Sequence, residues 1–299
     1  MGYPPPAGVP HPQHTVVLEP PPTGVPHPAP TELQTYGGHF SYQYSKCNGR
    51  HKALLVGINY FGQNGELKES INRARDVRAF ILRECGYNEV NIVQLYDNST
   101  DPKVKPTKAN IMANIKELVA GAQPNDSLFF FYAGHGGQTR DTNGDEDTGY
   151  DEVIYPGDHE TSGPILDDEL WEALVKPLPS GCRLTALFDS PHTESPLDLP
   201  FIYTAEGKIK EPNLTRQNRT SSADVICFSG PKLLQPGSDT LVAGGQSGTL
   251  SYELAVALSR KWGKTNQQLL VGLRESLKGQ YSEVQLSSSH PLHRVQYLN

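Results

Sequence analysis

Three short stretches set chemistry-bearing side chains directly after apolar runs. In Phe131-Tyr132-Ala133-Gly134-His135-Gly136-Gly137 a histidine stands between glycines, whose freedom lets the backbone turn sharply and present the imidazole. A lone histidine is usually structural, but one held this way at the carboxyl edge of an open α/β sheet more often moves protons. Leu187-Phe188-Asp189-Ser190-Pro191-His192 and Phe228-Ser229-Gly230-Pro231 end two further runs in the same manner. The acidic run from Asp141 to Glu152 superficially resembles an EF-hand loop, yet Glu146 occupies the position that needs glycine and no helix pair flanks it. It reads as a solvated turn.

The elements that must position these groups follow from periodicity. Ala53 to Ile58, Val90 to Tyr96, Ser127 to Tyr132, Arg183 to Phe188 and Val225 to Phe228 are short and mostly apolar, as strands buried on both faces require. Leu67, Ile71, Ala74, Phe80 and Ile81 recur at helical steps, as do Ile111, Ile115, Leu118 and Val119, with Thr107 after Pro106 as a cap region. Asp167 to Val175, Leu250 to Ser259 and Gln267 to Leu277 complete the predicted helices. Strands alternating with helices mean βαβ units, a mainly parallel sheet, and working groups at the strands' carboxyl ends.

Composition bounds what surrounds this domain. Eleven of the 25 prolines fall in residues 1–30, a nearly uncharged stretch that cannot bury enough apolar surface to fold alone. Its near-repeat, Gly8-Val9-Pro10-His11-Pro12 and Gly24-Val25-Pro26-His27-Pro28, favours solvated polyproline II and reads as a flexible spacer. A net charge of −7 and a pI near 5.8, without a dense basic run, argue against nucleic acid. The longest apolar run, Leu128 to Ala133, is far short of the roughly 20 residues that cross a bilayer, so no membrane partner is expected. Cys47, Cys85, Cys182 and Cys227 lack C-x-x-C spacing and read as reduced thiols of a cytoplasmic protein, which leaves the triplets at Asn98, Asn213 and Asn218 without meaning as glycosylation sites.

From Lys52 onward the chain resembles the type I metacaspases, caspase-fold cysteine peptidases. The resemblance rests on Lys52 to Tyr60, Pro124 to Leu128, Tyr132 to Gly137, Asp145 with Gly149 to Pro156, Arg183 to Ser190, and Leu197 to Pro200. It implies an α/β, caspase-like fold with a mainly parallel central sheet and helices on both faces. A disordered Pro-rich prodomain, residues 1–50, would precede a domain spanning 51–299. That domain would comprise a large-subunit-like part at 51–204, a shortened linker at 205–222 and a small-subunit-like part at 223–299.

The resemblance further implies a Cys/His dyad that cleaves after Arg or Lys with Ca2+ assistance, His135 being the base. Here the sequence departs from the family, because the nucleophile position holds Pro191, which has neither a thiol nor an N–H for the oxyanion. Glu194 replaces a glycine of the same motif. The substrate pocket is degraded too: Ser70 and Arg73 stand where the family has a cysteine and an acid, Ala133 replaces a serine, and Asp189 is the retained acid. Cys182 lies about 30 Å of extended strand from position 191, and Cys227 sits inside an apolar run, so neither substitutes. Near Pro231, the family's polar loop is eroded to the stretch from Lys232 to Asp239.

The family's calcium ligands match Asp151, Asp167, Asp168 and Asp198. Four converging carboxylates would repel one another unless a hard cation neutralised them, whereas Asp167-Asp168-Glu169 alone would also suit a helix start. The expectation is therefore a monomeric caspase-fold pseudoprotease with a weak Ca2+ site. It would have a regulatory or interaction role toward protein partners, including an active homologue, in proteolysis, cell death or proteostasis. The alternative is an active Ca2+-dependent cysteine endopeptidase acting on peptide substrates after Arg or Lys.

Overall fold

The computed structural model describes residues 29–30, 32–37, 40–142, 149–190, 195–204, 206–210, 219–230, 250–259, 265–277 and 284–292. The strands are β1 (Gln34–Tyr36), β2 (Phe40–Tyr42), β3 (His51–Gly57), β4 (Ile92–Tyr96), β5 (Ser127–Ala133), β6 (Gly136–Arg140), β7 (Tyr150–Ile154), β8 (Ile165–Leu166), β9 (Arg183–Phe188), β10 (Phe201–Ile202), β11 (Asp224–Ser229) and β12 (Gln285–Ser288). The helices are α1 (Ser70–Glu84), α2 (Lys108–Val119), α3 (His159–Ser162), α4 (Asp167–Leu170), α5 (Leu250–Ser259) and α6 (Asn266–Ser276).

A seven-stranded sheet runs in the order β10-β12-β11-β9-β5-β3-β4. Its five strands from β4 to β11 are mutually parallel; β12 joins β11 antiparallel, and β10 pairs antiparallel with β12 at one edge. All five predicted strands are present, within one or two residues at each end. Because β5 is buried along its whole length, alternate residues feed two cores. Leu128, Phe130 and Tyr132 pack with Ile111, Ile115 and Leu118 of α2, while Phe129, Phe131 and Ala133 pack with the faces of α1, α5 and α6. Helices on both faces of a mainly parallel sheet are what the sequence led us to expect.

Several elements depart from the sequence reading. The α1 helix starts at Ser70 rather than near Leu67, whose N–H donates to the Asn59 carbonyl at 2.7 Å and ties the preceding loop to the end of β3. The predicted helix from Asp167 to Val175 is one α-turn followed by a π-helical turn over Trp171–Val175. The small antiparallel sheet β6-β7-β8 was not anticipated. Nor was the contribution of the segment before residue 50: β1 and β2 pair there, Tyr42 and Tyr44 are buried, and Tyr42 stacks on His290 at 4.0 Å. The folded part thus reaches back beyond the expected boundary to residue 34. The proline-rich stretch through residue 28 and the eroded loop at 232–239 lie outside the described residues, as do 205 and 211–218 of the expected linker.

At the amino edge of the sheet, Asp224 and Arg183 are direct register partners on β11 and β9, joined at 2.6 Å with both side chains buried. Asp224 also accepts from the Ser45 N–H at 3.0 Å and contacts His290 Nε2 at 3.3 Å. One carboxylate therefore binds the N-terminal segment, two central strands and the C-terminal segment. Burial pushes Asp224 up, but Arg183 and His290 outweigh it and hold the carboxyl at about 2. A carboxyl depressed in the folded state stabilises the fold above its unfolded value near 3.8, and that contribution disappears as pH falls through about 2. Urea unfolding of the chain should show about 2 kcal/mol of stability lost over this interval through Asp224. The Asp224→Asn variant should lack that step and be less stable at neutral pH by roughly 3–5 kcal/mol, since Arg183 is left buried and unbalanced.

Candidate functional site

The parallel register delivers the three sequence-marked strand ends to one edge. The Ile58 N–H donates to the Ala133 carbonyl at 2.9 Å, the Asp189 N–H to the Tyr132 carbonyl at 2.8 Å, and the Gly230 N–H to the Phe188 carbonyl at 2.9 Å. Glycine is required at 230, where a Cβ would lie 2.4 Å from the Ser190 carbonyl oxygen.

His135 is fully buried just beyond β5. Its backbone is held by two buried tyrosines, Tyr60 and Tyr132, to which sequence reasoning gave no role of their own. The Tyr60 hydroxyl accepts the His135 N–H at 2.9 Å and donates to the Tyr155 carbonyl at 2.6 Å, while the Tyr132 hydroxyl donates to the His135 carbonyl at 2.7 Å. Those hydroxyls lie 3.0 Å apart, and a Cβ on Gly134 would fall 2.6 Å from one and 2.8 Å from the other, so only glycine lets the loop wrap them. Burial pushes both phenols well up, which keeps them neutral donors. The imidazole lies against the Tyr60 ring at 4.5 Å, and its Nε2 sits 2.6 Å from the Gly65 carbonyl oxygen. A carbonyl only accepts, so that contact assigns the proton to Nε2 and makes Nδ1 the basic nitrogen. A base with its orienting group is in place.

Pro191, which the family resemblance aligns with the nucleophile, lies outside the described residues together with His192, Thr193 and Glu194; the lack of a thiol and of an N–H is a property of proline itself. The four cysteines are unbridged. Burial pushes Cys85 and Cys182 up to about 12, and Cys227 higher still, so none of these three forms a thiolate near neutrality. Cys182 precedes β9 at the edge opposite Asp189, Cys227 packs within the core, Cys85 caps the far end of α1, and Cys47 lies beside Ser45 at the amino edge.

The residues matched to the substrate pocket meet at the start of α1. Ser70 is buried with its backbone close against Gly57, and Ala133 pairs with Gly57 across β3 and β5. Arg73 Nη1 reaches to 3.9 Å from Asp189 Oδ1. The other Asp189 oxygen accepts from both the hydroxyl and the N–H of Ser251, at the first turn of α5. Asp189 therefore faces an internal guanidinium and an internal hydroxyl, and it ties α1, β9 and α5 together.

Of the four acids matched to a cation site, Asp167, Asp168 and Asp198 come together, each offering an oxygen within 4.8 Å of the others. Asp151, buried on β7, stands outside that set. Asp167 is oriented by the N–H groups of Glu152 at 2.7 Å and Asp168 at 3.0 Å. Glu152 was not singled out from the sequence, yet it also accepts from the Ser195 N–H at 2.8 Å and so fixes the segment leading to Asp198, which adopts a left-handed φ of 47°. Hard carboxylate oxygens at this spacing suit a divalent cation such as Ca2+ better than a soft metal.

The arrangement is a mainly parallel α/β domain with an oriented histidine at a glycine-flanked strand end. The family model for the metacaspase, peptidase C14 domain matches residues 51–200. Metacaspase-1 of Cryptococcus neoformans var. neoformans is 44% identical over 309 residues, covering 87% of this chain and 68% of that protein. Metacaspase-1A of Neurospora crassa is 43% identical over 298 residues, covering 85% and 66% respectively. Among solved structures, a protein of Geobacter sulfurreducens aligns with a TM-score of 0.55 at 18% identity, covering 81% of this chain and 95% of that one, a likeness of fold alone. The chain belongs to the metacaspase family and has its caspase-like fold.

The tyrosine pair yields a stability prediction. Removing one hydroxyl in Tyr60→Phe strands the buried His135 N–H and should cost about 1–3 kcal/mol by chemical denaturation. Because the Tyr60 and Tyr132 hydroxyls lie 3.0 Å apart and both hold the His135 backbone, the double variant with Tyr132→Phe should depart from additivity by more than about 0.5 kcal/mol.

Proposed function

We propose that this metacaspase-family chain is a pseudoprotease: it keeps the scaffold and the oriented base, has lost peptide cleavage, and acts by binding protein partners. The observation that carries this reading is the occupied state of the substrate-pocket acid. Asp189 already faces Arg73 and Ser251 of the same chain, so an incoming Arg or Lys would have to displace an internal cation. The substitution at Pro191 acts in the same direction, since acyl transfer needs a nucleophile at that position and an N–H for the oxyanion.

The role we infer is regulatory, in proteolysis, cell death or proteostasis, with an active homologue among the partners and with the chain a cytoplasmic monomer. Asp167, Asp168 and Asp198 would hold Ca2+, which would neutralise three carboxylates and fix the loops that carry them. The competing reading, a working Ca2+-dependent cysteine endopeptidase, draws on the orientation of His135.

Cleavage of Arg- and Lys-terminated fluorogenic peptides with Ca2+ separates these readings. The natural chain should give no turnover above buffer. Installing a thiol in Pro191→Cys should restore little on basic substrates, and the Pro191→Cys/Arg73→Ala variant should exceed it by about tenfold or more, as freeing an opposite charge in a partly buried pocket predicts. Turnover by the natural chain that disappears in His135→Ala would establish the peptidase instead.

A further inference from the structure

The acid cluster carries its own counter-charge. Arg219 lies just ahead of β11, and its guanidinium pairs with the Asp168 carboxylate, the most exposed member of the three. The same guanidinium stands 4.9 Å over the ring of Trp171, and the Arg219 carbonyl accepts from the Trp171 indole N–H at 3.3 Å. Three contacts of different kinds thus fasten one residue of the polar segment at 205–222 to the end of α4.

We propose that Arg219 is an exchangeable internal cation: a hard divalent cation binding to Asp167, Asp168 and Asp198 displaces its guanidinium from Asp168 and shifts it over the Trp171 ring. The inference rests on the Ca2+ reading above and adds to it a competitor and a consequence. A metal ion drawing on the Asp168 carboxylate and a guanidinium paired with that same carboxylate repel each other across a few ångströms, so occupancy by one weakens the other. By linkage the effect is reciprocal: the bound metal lowers Arg219's hold on Asp168 by the same factor that Arg219 lowers metal affinity. Displacing the guanidinium from Asp168 also alters its stacking on Trp171, which places an indole beside the exchange as a reporter. Arg219 suits this role because its planar fork serves a carboxylate and an aromatic face together, which a lysine ammonium does less well.

The readout is Trp171 itself. The chain has two tryptophans, so Trp262→Phe leaves Trp171 as the only indole. CaCl2 is titrated into this protein by calorimetry and by tryptophan emission, beside the Arg219→Gln and Arg219→Lys versions. Emission should change saturably with Ca2+ when Arg219 is present, and that change should vanish in Arg219→Gln. Arg219→Gln should bind Ca2+ about fivefold or more tightly than the parent, with Arg219→Lys intermediate. The lysine version keeps a cation at the site and so reports even if the glutamine version folds poorly. Equal or weaker Ca2+ binding by both variants would overturn the exchange while leaving the Ca2+ site standing. No heat from the parent or from either variant would remove the Ca2+ site and the exchange together.

Discussion

The first rung of β9 and β11 is a buried ion pair, and much of the molecule depends on it. Arg183 and Asp224 face each other at the amino edge, where a slip of one residue would part the charges and send every side chain of β11 to the wrong face. With that rung set, the same register brings Phe188 opposite Ser229 and leaves Asp189 and Gly230 adjacent at the carboxyl edge. Ser45 and His290 meet on the same carboxylate and Tyr42 stacks on His290, so the two ends of the described chain are fastened where the sheet's register is decided. Structural charge sits at one edge of the sheet and the retained chemical groups at the other.

At the carboxyl edge, the groups singled out by the family resemblance are held in different ways. His135 is a buried imidazole oriented by the Gly65 carbonyl, with two neutral phenols fixing its backbone. Asp189 is turned toward Arg73 and Ser251 of the same chain, and the sequence carries proline at 191. The order around His135 has a physical explanation that needs no catalysis. Tyr60, Tyr132, Gly134 and His135 are a packed, hydrogen-bonded unit of the core, and removing either hydroxyl strands a buried polar group of the His135 backbone.

The parts of this fold that were legible in the sequence are those governed by local pattern. Strands buried on both faces announce themselves as apolar runs, which is why β3, β5, β9 and β11 and the histidine that follows β5 were readable. The cap of α2 was as well, Thr107 accepting from the Asn110 N–H. What escaped depends on partners far away in sequence. The β12 strand, Gln285–Ser288, is polar in composition yet wholly buried, because it pairs with β11 on one side and β10 on the other. Tyr42 and Tyr44 sit in a segment whose composition suggests a tail, and only the arrival of His290 makes them core. Motif spacing indicated four acids, but only geometry separates Asp151 from the three that meet. Charge reversal at Arg73 was visible as a residue type, whereas its approach to Asp189 required α1 to be docked on the sheet.

The central claim is that no group on this scaffold attacks a peptide carbonyl. The most direct test is to incubate the chain with a peptidyl-arginine acyloxymethyl ketone, which alkylates an activated cysteine, in the presence of Ca2+, and to read the intact mass. The account predicts unmodified protein, because the described thiols are buried or lie at the wrong edge of the sheet and position 191 has none. A single adduct that forms on the natural chain and is lost in His135→Ala would contradict it.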